Sequence, residues 1–370
     1  MNHPIQRRAV LQAGAAAALS PLLSLRAGAQ ERRFAPEVGN WRTFELSTTV
    51  NVADVKGAAQ VWLPLPDLST DYQRTLDNSW VGNASSARLV ADPARGVRML
   101  HAEFAAGNAA PTLTLTSKVQ TRNRATDWSR TTTAQEDPAQ LKADLAATAM
   151  LPVDGIVRKT ALDATQGAKT DLAKVQALYQ WVIANAHREP KTRGCGAGDI
   201  KAMLETGNLS GKCADLNALF VGMCRAVGVP ARDVYGLRVA PSAFGYRELG
   251  GNPANLKGAQ HCRAEVFLRQ HGWVAMDPAD VLKVMRQETP DWIKDPQHAL
   301  VAPVNKGLFG SWEGNWVGWN TAHDVTLPGS ARKQTLPFLM YPNGENANGP
   351  FDELAPDAFR YTIAAREITA

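Results

Sequence analysis

The 370-residue chain is 45% hydrophobic and 20% charged, the composition of a globular protein with about two domains. Its formal charge is +5, but three arginines precede the first acidic residue, Glu31, within a predicted leader. Without those arginines the charge is +2, too small to indicate a nucleic acid or an anionic membrane surface as partner. After the leader, no apolar stretch is long enough to predict a membrane span.

Residues 1–29 predict an export signal. Arg7 and Arg8 precede a weakly apolar stretch, residues 13–25, and the small side chains of residues 27–29 are typical of a cleavage site. An amphipathic first helix fits less well, because no polar face recurs along the apolar stretch. The arginine pair resembles a twin-arginine signal, so we expect a bacterial protein in the periplasm or secreted, exported by that route.

Residues 30–130 predict a β-sandwich-like N-terminal domain. Short runs with strand character occur at residues 41–46, 61–63 and 113–119, and turn residues interrupt them. Residues 131–169 are richer in alanine and charged residues, and we expect a helical connector there.

The rest of the chain divides at about residue 285. Thr170 is expected to cap a helix with one apolar stripe, and residues 286–370 are expected to form a C-terminal extension with a final strand near residues 359–368. The extension contains a cluster of three tryptophans. Such a cluster could wall a substrate cleft, but a core or an interface is the commoner role. Its members are Trp312, Trp316 and Trp319.

One cysteine begins an apolar run with helical spacing. The apolar positions after Cys213 recur in steps of three and four, which predicts a helix with one buried face, and Gly228 and Pro230 predict its end. In the first turn of a helix, free N–H groups and the helix dipole lower the pKa of a thiol. Cys213 is therefore a candidate nucleophile. The alternative is a small buried hydrophobic residue.

A predicted hairpin downstream offers the groups that would activate this thiol. His261 opens one strand and Asp277 closes the next, so a base and a carboxylate reach one end of the hairpin. A symmetric turn would place Asp277 opposite Ala264, so a close contact with His261 needs a bulge or an asymmetric loop. Asp215 is a rival carboxylate, although an acidic residue also suits the first turn of a helix.

These motifs resemble the bacterial transglutaminase-like superfamily. The resemblance rests on residues 211–232 and 261–277, and it covers roughly residues 170–285. It implies an α+β fold with a papain-like transglutaminase core, in which a helix that bears the cysteine packs on an antiparallel sheet that carries the histidine and aspartate. It also implies Cys213 as nucleophile, His261 as base and Asp277 as orienting acid.

The family includes cross-linking enzymes, proteases, peptide glycanases and inactive scaffolds. We expect an exported thiol acyl-transfer enzyme that hydrolyses peptide or isopeptide amides through a thioester, with hydrolysis favoured over cross-linking. Its partner would be a peptide or protein, including a cell-wall peptide, and no cofactor, metal or calcium loop is predicted. The Cys213 N–H is a candidate oxyanion donor. The alternative function is a catalytically silent scaffold or binding module.

Four cysteines in an exported chain raise the question of disulfides. Three complete pairings are possible, and the spacings match no zinc site. If Cys213 is the nucleophile, at most one bridge can form. Since Cys224 falls on the predicted helix, a bridge between Cys195 and Cys262 is favoured.

Overall fold

The structure, a computed structural model, describes residues 32–52, 57–332 and 335–368. The predicted export signal, residues 1–29, lies outside the described residues. Within them, no helix combines the length and the apolar character that crossing a bilayer would require.

The described chain contains both strands and helices. In chain order the strands are β1 Arg42–Asn51, β2 Ala59–Pro64, β3 Gln73–Gly82, β4 Ser86–Ala91, β5 Arg98–Phe104, β6 Thr112–Thr121, β7 Arg124–Ala125, β8 His187–Arg188, β9 Ser210–Gly211, β10 Ala231–Arg238, β11 Gln260–Leu268, β12 Gly272–Met276, β13 Ser311–Trp312, β14 Trp316–Asn320, β15 Asn343–Asn346, β16 Gly349–Pro350 and β17 Tyr361–Ile368. The α-helices are α1 Pro138–Ala143, α2 Gly155–Ala164, α3 Asp171–Asn185, α4 Ile200–Thr206, α5 Cys213–Ala226, α6 Pro278–Gln287, α7 Ala302–Gly307 and α8 Pro356–Phe359.

Two antiparallel sheets form a β-sandwich that includes the predicted N-terminal strands. One sheet has the strand order β17-β1-β6-β3 and the other has the order β16-β15-β2-β5-β4. Side chains of β1 and β6 alternate between buried and partly exposed positions, as expected for sheets with one solvated face. The inward-facing side chains of both sheets belong to one hydrophobic core.

The segment predicted as a C-terminal extension is instead part of both sheets. Thr43 of β1 pairs with Ile368 of β17, and Asn343 of β15 pairs with Trp62 of β2. Strand pairing between residues this far apart in sequence leaves no local pattern, because the partners are fixed by the tertiary fold. The strand predicted near residues 359–368 is present as β17.

The helices that precede Cys213 follow their sequence signals. The Thr170 hydroxyl accepts a hydrogen bond from the Ala173 N–H at 3.2 Å and caps α3. The predicted stripe of α3 is buried at Val175, Leu178, Tyr179, Val182 and Ile183. The predicted helix near residues 137–147 is shorter, since α1 ends at Ala143.

The second half of the fold is a four-stranded antiparallel sheet with the order β12-β11-β10-β14. Helix α5 packs against β10 and β11, and α2, α3, α4 and α6 surround it. All fourteen of its residues are buried. The expectation of one buried face is therefore wrong, because helices cover the face that would otherwise contact solvent.

Candidate active site

Cys213 is the first residue of α5 and is 2% exposed. It borders a cavity of about 450 Å³ that His261 also lines. The side chain of Asp215 accepts a hydrogen bond from the Lys212 N–H at 3.0 Å, and this contact fixes the start of the helix. The thiol thus lies where the helix dipole favours a negative charge, at the inner end of a cavity.

Asp215 also fastens a glycine-rich loop to the start of α5. Its Oδ1 accepts hydrogen bonds from the N–H groups of Ala197 and Gly198, both at 2.9 Å. A side chain at Gly196 would collide with this carboxylate, since a Cβ atom there would lie 1.8 Å from Oδ2. Backbone N–H groups use both oxygens of Asp215, so this rival carboxylate supports the site and does not pair with His261.

The hairpin brings His261 and Asp277 together through an asymmetric loop. Leu268 pairs with Gly272, so three residues connect the strands, and Gly272 has the positive φ of 75° that such a loop requires. Since Ala264 pairs with Met276, Asp277 follows the ladder on the same face as His261. Oδ2 of Asp277 lies 2.7 Å from Nε2 of His261, and this bond leaves Nδ1 for the thiol.

A second carboxylate contacts the same histidine nitrogen. Oδ2 of Asp280 lies 3.3 Å from Nε2 of His261, and Nη2 of Arg238 donates to Oδ1 of Asp280 at 2.5 Å. Asp280 is not among the site residues predicted from the sequence. The signal was available, because Pro278 begins a helix after Asp277 and residues three apart on a helix lie on one face.

Asn217, one turn after Cys213 in α5, links this helix to Asp277. Its Nδ2 donates to the Cys262 carbonyl at 2.9 Å and to Oδ1 of Asp277 at 3.2 Å. Its Oδ1 accepts from the Ala279 N–H at 3.1 Å. A polar residue on a fully buried helix needs such partners, and the spacing from Cys213 was the available sequence signal.

The electrostatics favour a thiolate and an imidazolium at this site. Burial raises the pKa of the Cys213 thiol, but hydrogen bonding from Cys195, Cys262 and His261 and the charge of His261 hold that pKa well below its usual value.

The pKa of His261 changes in the opposite direction. Burial and the charge of Arg238 lower the pKa of His261, but the Asp280 and Asp277 carboxylates outweigh them and raise it to about 9. Both shifts favour the charged forms, so the site favours a thiolate–imidazolium pair over the neutral pair.

All four cysteines are free thiols, which corrects the expected bridge between Cys195 and Cys262. The Cys195 thiol donates to the Gln260 carbonyl at 3.4 Å, and the Cys195 carbonyl accepts from the Ala214 N–H at 2.9 Å. These bonds hold the loop between the start of α5 and the start of β11, so that Cys195 lies near Cys213 and Cys262.

The predicted tryptophan cluster lies behind the histidine. Trp312, Trp316 and Trp319 are all buried, and the Trp316 indole donates to the His261 carbonyl at 3.0 Å. The Arg263 guanidinium lies 4.7 Å from the Trp316 ring centre. The cluster is therefore core that supports the strand bearing His261, in agreement with the commoner role of such clusters.

His261, Asp277 and Asp280 each present one ligand atom within 4.8 Å of the others, a spacing that could hold a metal ion. Arg238 already bonds to Asp280, and Nε of Arg263 lies 3.8 Å from Oδ2 of Asp277. These guanidinium groups balance the carboxylates and would repel a cation. The contacts favour an ion-pair network that orients the imidazole.

A buried helix that carries a cysteine at its start and packs on an antiparallel sheet is the arrangement of a papain-like α+β core. The family model described as "Transglutaminase-like superfamily" matches residues 158–278, which include α5 and the hairpin. The chain belongs to the transglutaminase-like superfamily.

Similarity to known proteins extends beyond residues 158–278 to most of the chain. The chain is 31% identical to an uncharacterised protein of Haemophilus influenzae over 344 residues, which cover 88% of this chain and 91% of that protein. A crystal structure of a proposed cysteine protease from Cytophaga hutchinsonii is similar with a TM-score of 0.48 and 17% identity, covering 89% and 99% of the two chains. The periplasmic domain of TgpA from Pseudomonas aeruginosa is similar with a TM-score of 0.36 and 17% identity, covering 70% and 93%.

Proposed function

We propose that this protein is a thiol acyl-transfer enzyme that hydrolyses peptide or isopeptide amides, with Cys213 as nucleophile, His261 as base and Asp277 as orienting acid. One observation carries the proposal. The 2.7 Å contact between Nε2 of His261 and Oδ2 of Asp277 lies beside the cavity that Cys213 borders at the start of α5. Nucleophile, base and orienter are the three parts that acyl transfer needs.

In the first half of the reaction, the Cys213 thiolate attacks the carbonyl carbon of the amide and forms a C–S bond. The carbonyl oxygen becomes an oxyanion. When the C–N bond breaks, the His261 imidazolium gives its proton to the departing amine, and a thioester remains on Cys213.

In the second half, neutral His261 removes a proton from water, and the resulting hydroxide attacks the thioester carbon. The C–S bond breaks, the thiolate re-forms beside the imidazolium, and a carboxylic acid leaves. Asp277 keeps Nδ1 of His261 directed at the reacting atoms through both steps.

Two donors are assigned to the oxyanion. The first is the Cys213 N–H at the start of α5, and the second is the side-chain amide of Gln260, which lines the same cavity. Nε2 of Gln260 is buried and has no hydrogen-bond partner among the described residues, so it is an unused donor that a shift of the side chain would present to the cavity.

Labelling with iodoacetamide tests the nucleophile directly. Folded protein should be alkylated at Cys213 faster than a model thiol at pH 6, because its lowered pKa gives a larger fraction of thiolate. Peptide mapping identifies the residue. Cys213→Ala should abolish labelling and amidase activity on denatured protein substrates, whereas Cys224→Ala, which alters a thiol on the same helix, should retain both. Labelling that requires denaturation would refute the proposal.

The same experiment distinguishes the alternative of a silent scaffold, which the 2% exposure of Cys213 favours. A scaffold would keep Cys213 unreactive in the folded state. Incubation of a glutamine peptide with a fluorescent amine then separates transfer from hydrolysis. Release of ammonia without incorporation of the amine is the expected result.

We also propose that the protein acts in the periplasm or outside the cell. The support is the leader with Arg7 and Arg8, which lies outside the described residues. Fractionation of cells that express the full chain should recover a shortened form in the periplasm, and Arg7→Lys with Arg8→Lys should retain the precursor in the cytoplasm. Normal export of that double variant would contradict the twin-arginine route.

A further inference from the structure

We propose that Arg188 forms a carboxylate-binding subsite in the cavity beside Cys213, so that preferred substrates present a carboxylate close to the amide that is cleaved. This inference rests on the proposed function and specifies its substrate class. It depends on the position of Arg188, on the charges that line the cavity and on the unused donors of the guanidinium.

Strand pairing places Arg188 beside the nucleophile. Arg188 of β8 pairs with Gly211 of β9, and the chain reaches Cys213 two residues later. The Glu189 N–H donates to the Gly211 carbonyl at 2.8 Å, which extends the ladder. Arg188 and Cys213 line the same cavity, so both residues border the space that a ligand would occupy.

The cavity is lined by positive charge. Besides His261, four cationic side chains line it, and none of the residues that line it is aspartate or glutamate. Three of the four are neutralised by carboxylates at its margin: Arg238 by Asp280, Lys257 by Asp357 and Lys283 by Glu248. The fourth is Arg188.

Arg188 differs from the others because no carboxylate of the described residues forms an ion pair with it. Its Nε donates to Oε1 of Gln287 at 3.0 Å, so a neutral amide fixes its orientation without balancing its charge. The side chain is 9% exposed. A buried guanidinium with free Nη donors and no counter-ion is suited to bind a carboxylate in a fork geometry.

Neighbouring groups respond to this unbalanced charge. Burial and the charge of Arg188 are the largest causes that lower the pKa of Lys212, the residue before the nucleophile. The charge of Arg188 also contributes to the lowered pKa of Lys283, after burial and Arg238. Cations around a cavity repel one another, and an anion that enters the cavity relieves this repulsion.

Charged and neutral alkylating agents of similar size test the subsite. Iodoacetate carries a carboxylate and iodoacetamide carries an amide, so the ratio of their rates at Cys213 reports the preference for a carboxylate. In Arg188→Gln this ratio should fall about threefold or more, since the loss of one charge at about 6–7 Å has an effect of that size even at the dielectric constant of water, about 80. The iodoacetamide rate should stay within about twofold, because that reagent is neutral.

Three controls separate this effect from a general loss of charge or fold. Arg188→Lys should restore most of the ratio, since it keeps the charge. Arg193→Gln removes one positive charge from an exposed side chain of the neighbouring loop, paired with Asp352, and should leave the ratio unchanged. In wild-type protein, raising the salt from about 0.05 M to about 0.5 M should lower the ratio, because the Debye length shortens from about 14 Å to about 4 Å.

Two small carboxylates identify where the substrate carboxylate lies. N-acetylglycine mimics a chain terminus and N-acetylglutamic acid α-amide mimics an acidic side chain, with N-acetylglycinamide as the neutral control. The better mimic should slow iodoacetamide labelling in wild-type protein but not in Arg188→Gln. An unchanged ratio in Arg188→Gln, or no protection by either carboxylate beyond the amide, overturns the subsite. Failure of iodoacetamide to label folded wild-type protein refutes the proposed function instead.

Discussion

Two carboxylates around one imidazole determine how the site responds to pH. Asp277 makes the shorter contact with His261, at 2.7 Å, and Asp280 also forms an ion pair with Arg238. The charge of Arg238 lowers the pKa of Asp280 well below its usual value despite burial. Asp280 is therefore a fixed negative charge, and the raised pKa of His261 depends on it.

Replacing Asp280 by Asn should lower the pKa of His261 from about 9. The variant removes a charge that stabilises the imidazolium and leaves Arg238 unpaired beside it, so the expected fall is at least about one unit. Titration of isotope-labelled histidine by NMR measures it.

Asp352→Asn is a matched control, since it removes an exposed carboxylate that pairs with Arg193. It should leave the titration of His261 unchanged. A pKa of His261 that stays near 9 in Asp280→Asn would show that Asp277 alone holds the proton.

Replacing Gln260 by Ala should separate catalysis from nucleophile activation. Loss of one oxyanion donor lowers kcat about a hundredfold or more in well-studied acyl-transfer enzymes. Iodoacetamide forms no oxyanion, so the alkylation rate of Cys213 should not change. Comparison of kcat for a peptide amide with the alkylation rate tests both statements. Equal losses in the two rates would indicate a structural role for the Gln260 amide.

The loop that Asp215 holds at the start of α5 carries Cys195. Three backbone N–H groups, from Ala197, Gly198 and Lys212, donate to this carboxylate. Asp215→Ala removes all three acceptor contacts and should destabilise the fold by about 3 kcal/mol or more. Freed from the helix start, the loop should expose Cys195 to alkylation in folded protein.

Thermal unfolding and peptide mapping of the alkylated protein measure the two effects of Asp215→Ala. Asp199→Ala is a suitable control, because Asp199 caps α4 through a single bond to the Ala202 N–H, worth about 1 kcal/mol. It should leave Cys195 protected. If Cys195 is as unreactive in Asp215→Ala as in wild-type protein, other contacts hold the loop.

Periodicity predicted the elements but not their register. The buried stripe of α3 and the start of α5 at Cys213 follow from local spacing, because a helix with an apolar face leaves a strong pattern. The length of the hairpin loop does not follow from the sequence, since a connection of four residues, 269–272, and one of three residues, 269–271, both fit. The positive φ of Gly272 belongs to the shorter loop, and this one-residue difference moves Asp277 to the face of His261.

The partners that complete the site came from contacts that local pattern does not record. Asn217 and Asp280 sit on helices with apolar neighbours, and their roles depend on what the next element presents to them. Arg188 is similar, because only its pairing with β9 places it beside Cys213. Sequence can name the residue types at a site, but distances between elements are a property of the packed chain.

At the scale of the whole molecule, strands that lie far apart in the sequence pair within the same sheets. Strand β14, from the segment after residue 285, forms the edge of the sheet that carries His261, while β15 and β17 join the sandwich. The predicted domain boundaries follow changes in composition, and composition does not report which strands pair. The family match at residues 158–278 likewise ends before β14 begins.

The matched segment should therefore fail to fold alone. A chain of residues 158–278 would expose the edge of β10 that β14 covers, and it would lack the Trp316 indole that bonds to the His261 carbonyl at 3.0 Å. Almost all of α6, which packs on α3 and α5, would also be missing. We expect weak dispersion of NMR signals and no cooperative thermal transition for this segment. Residues 32–370 should show well-dispersed signals and a cooperative transition.

Trp316→Ala in residues 32–370 tests the same dependence without truncation. It removes a large buried side chain and should destabilise the fold by about 3–5 kcal/mol, measured by denaturant unfolding. Trp292→Ala, which alters an exposed tryptophan, should cost much less, because little apolar surface is lost from the core. A cooperative transition in residues 158–278 with Cys213 still reactive would show instead that this segment folds without β14 and the sandwich.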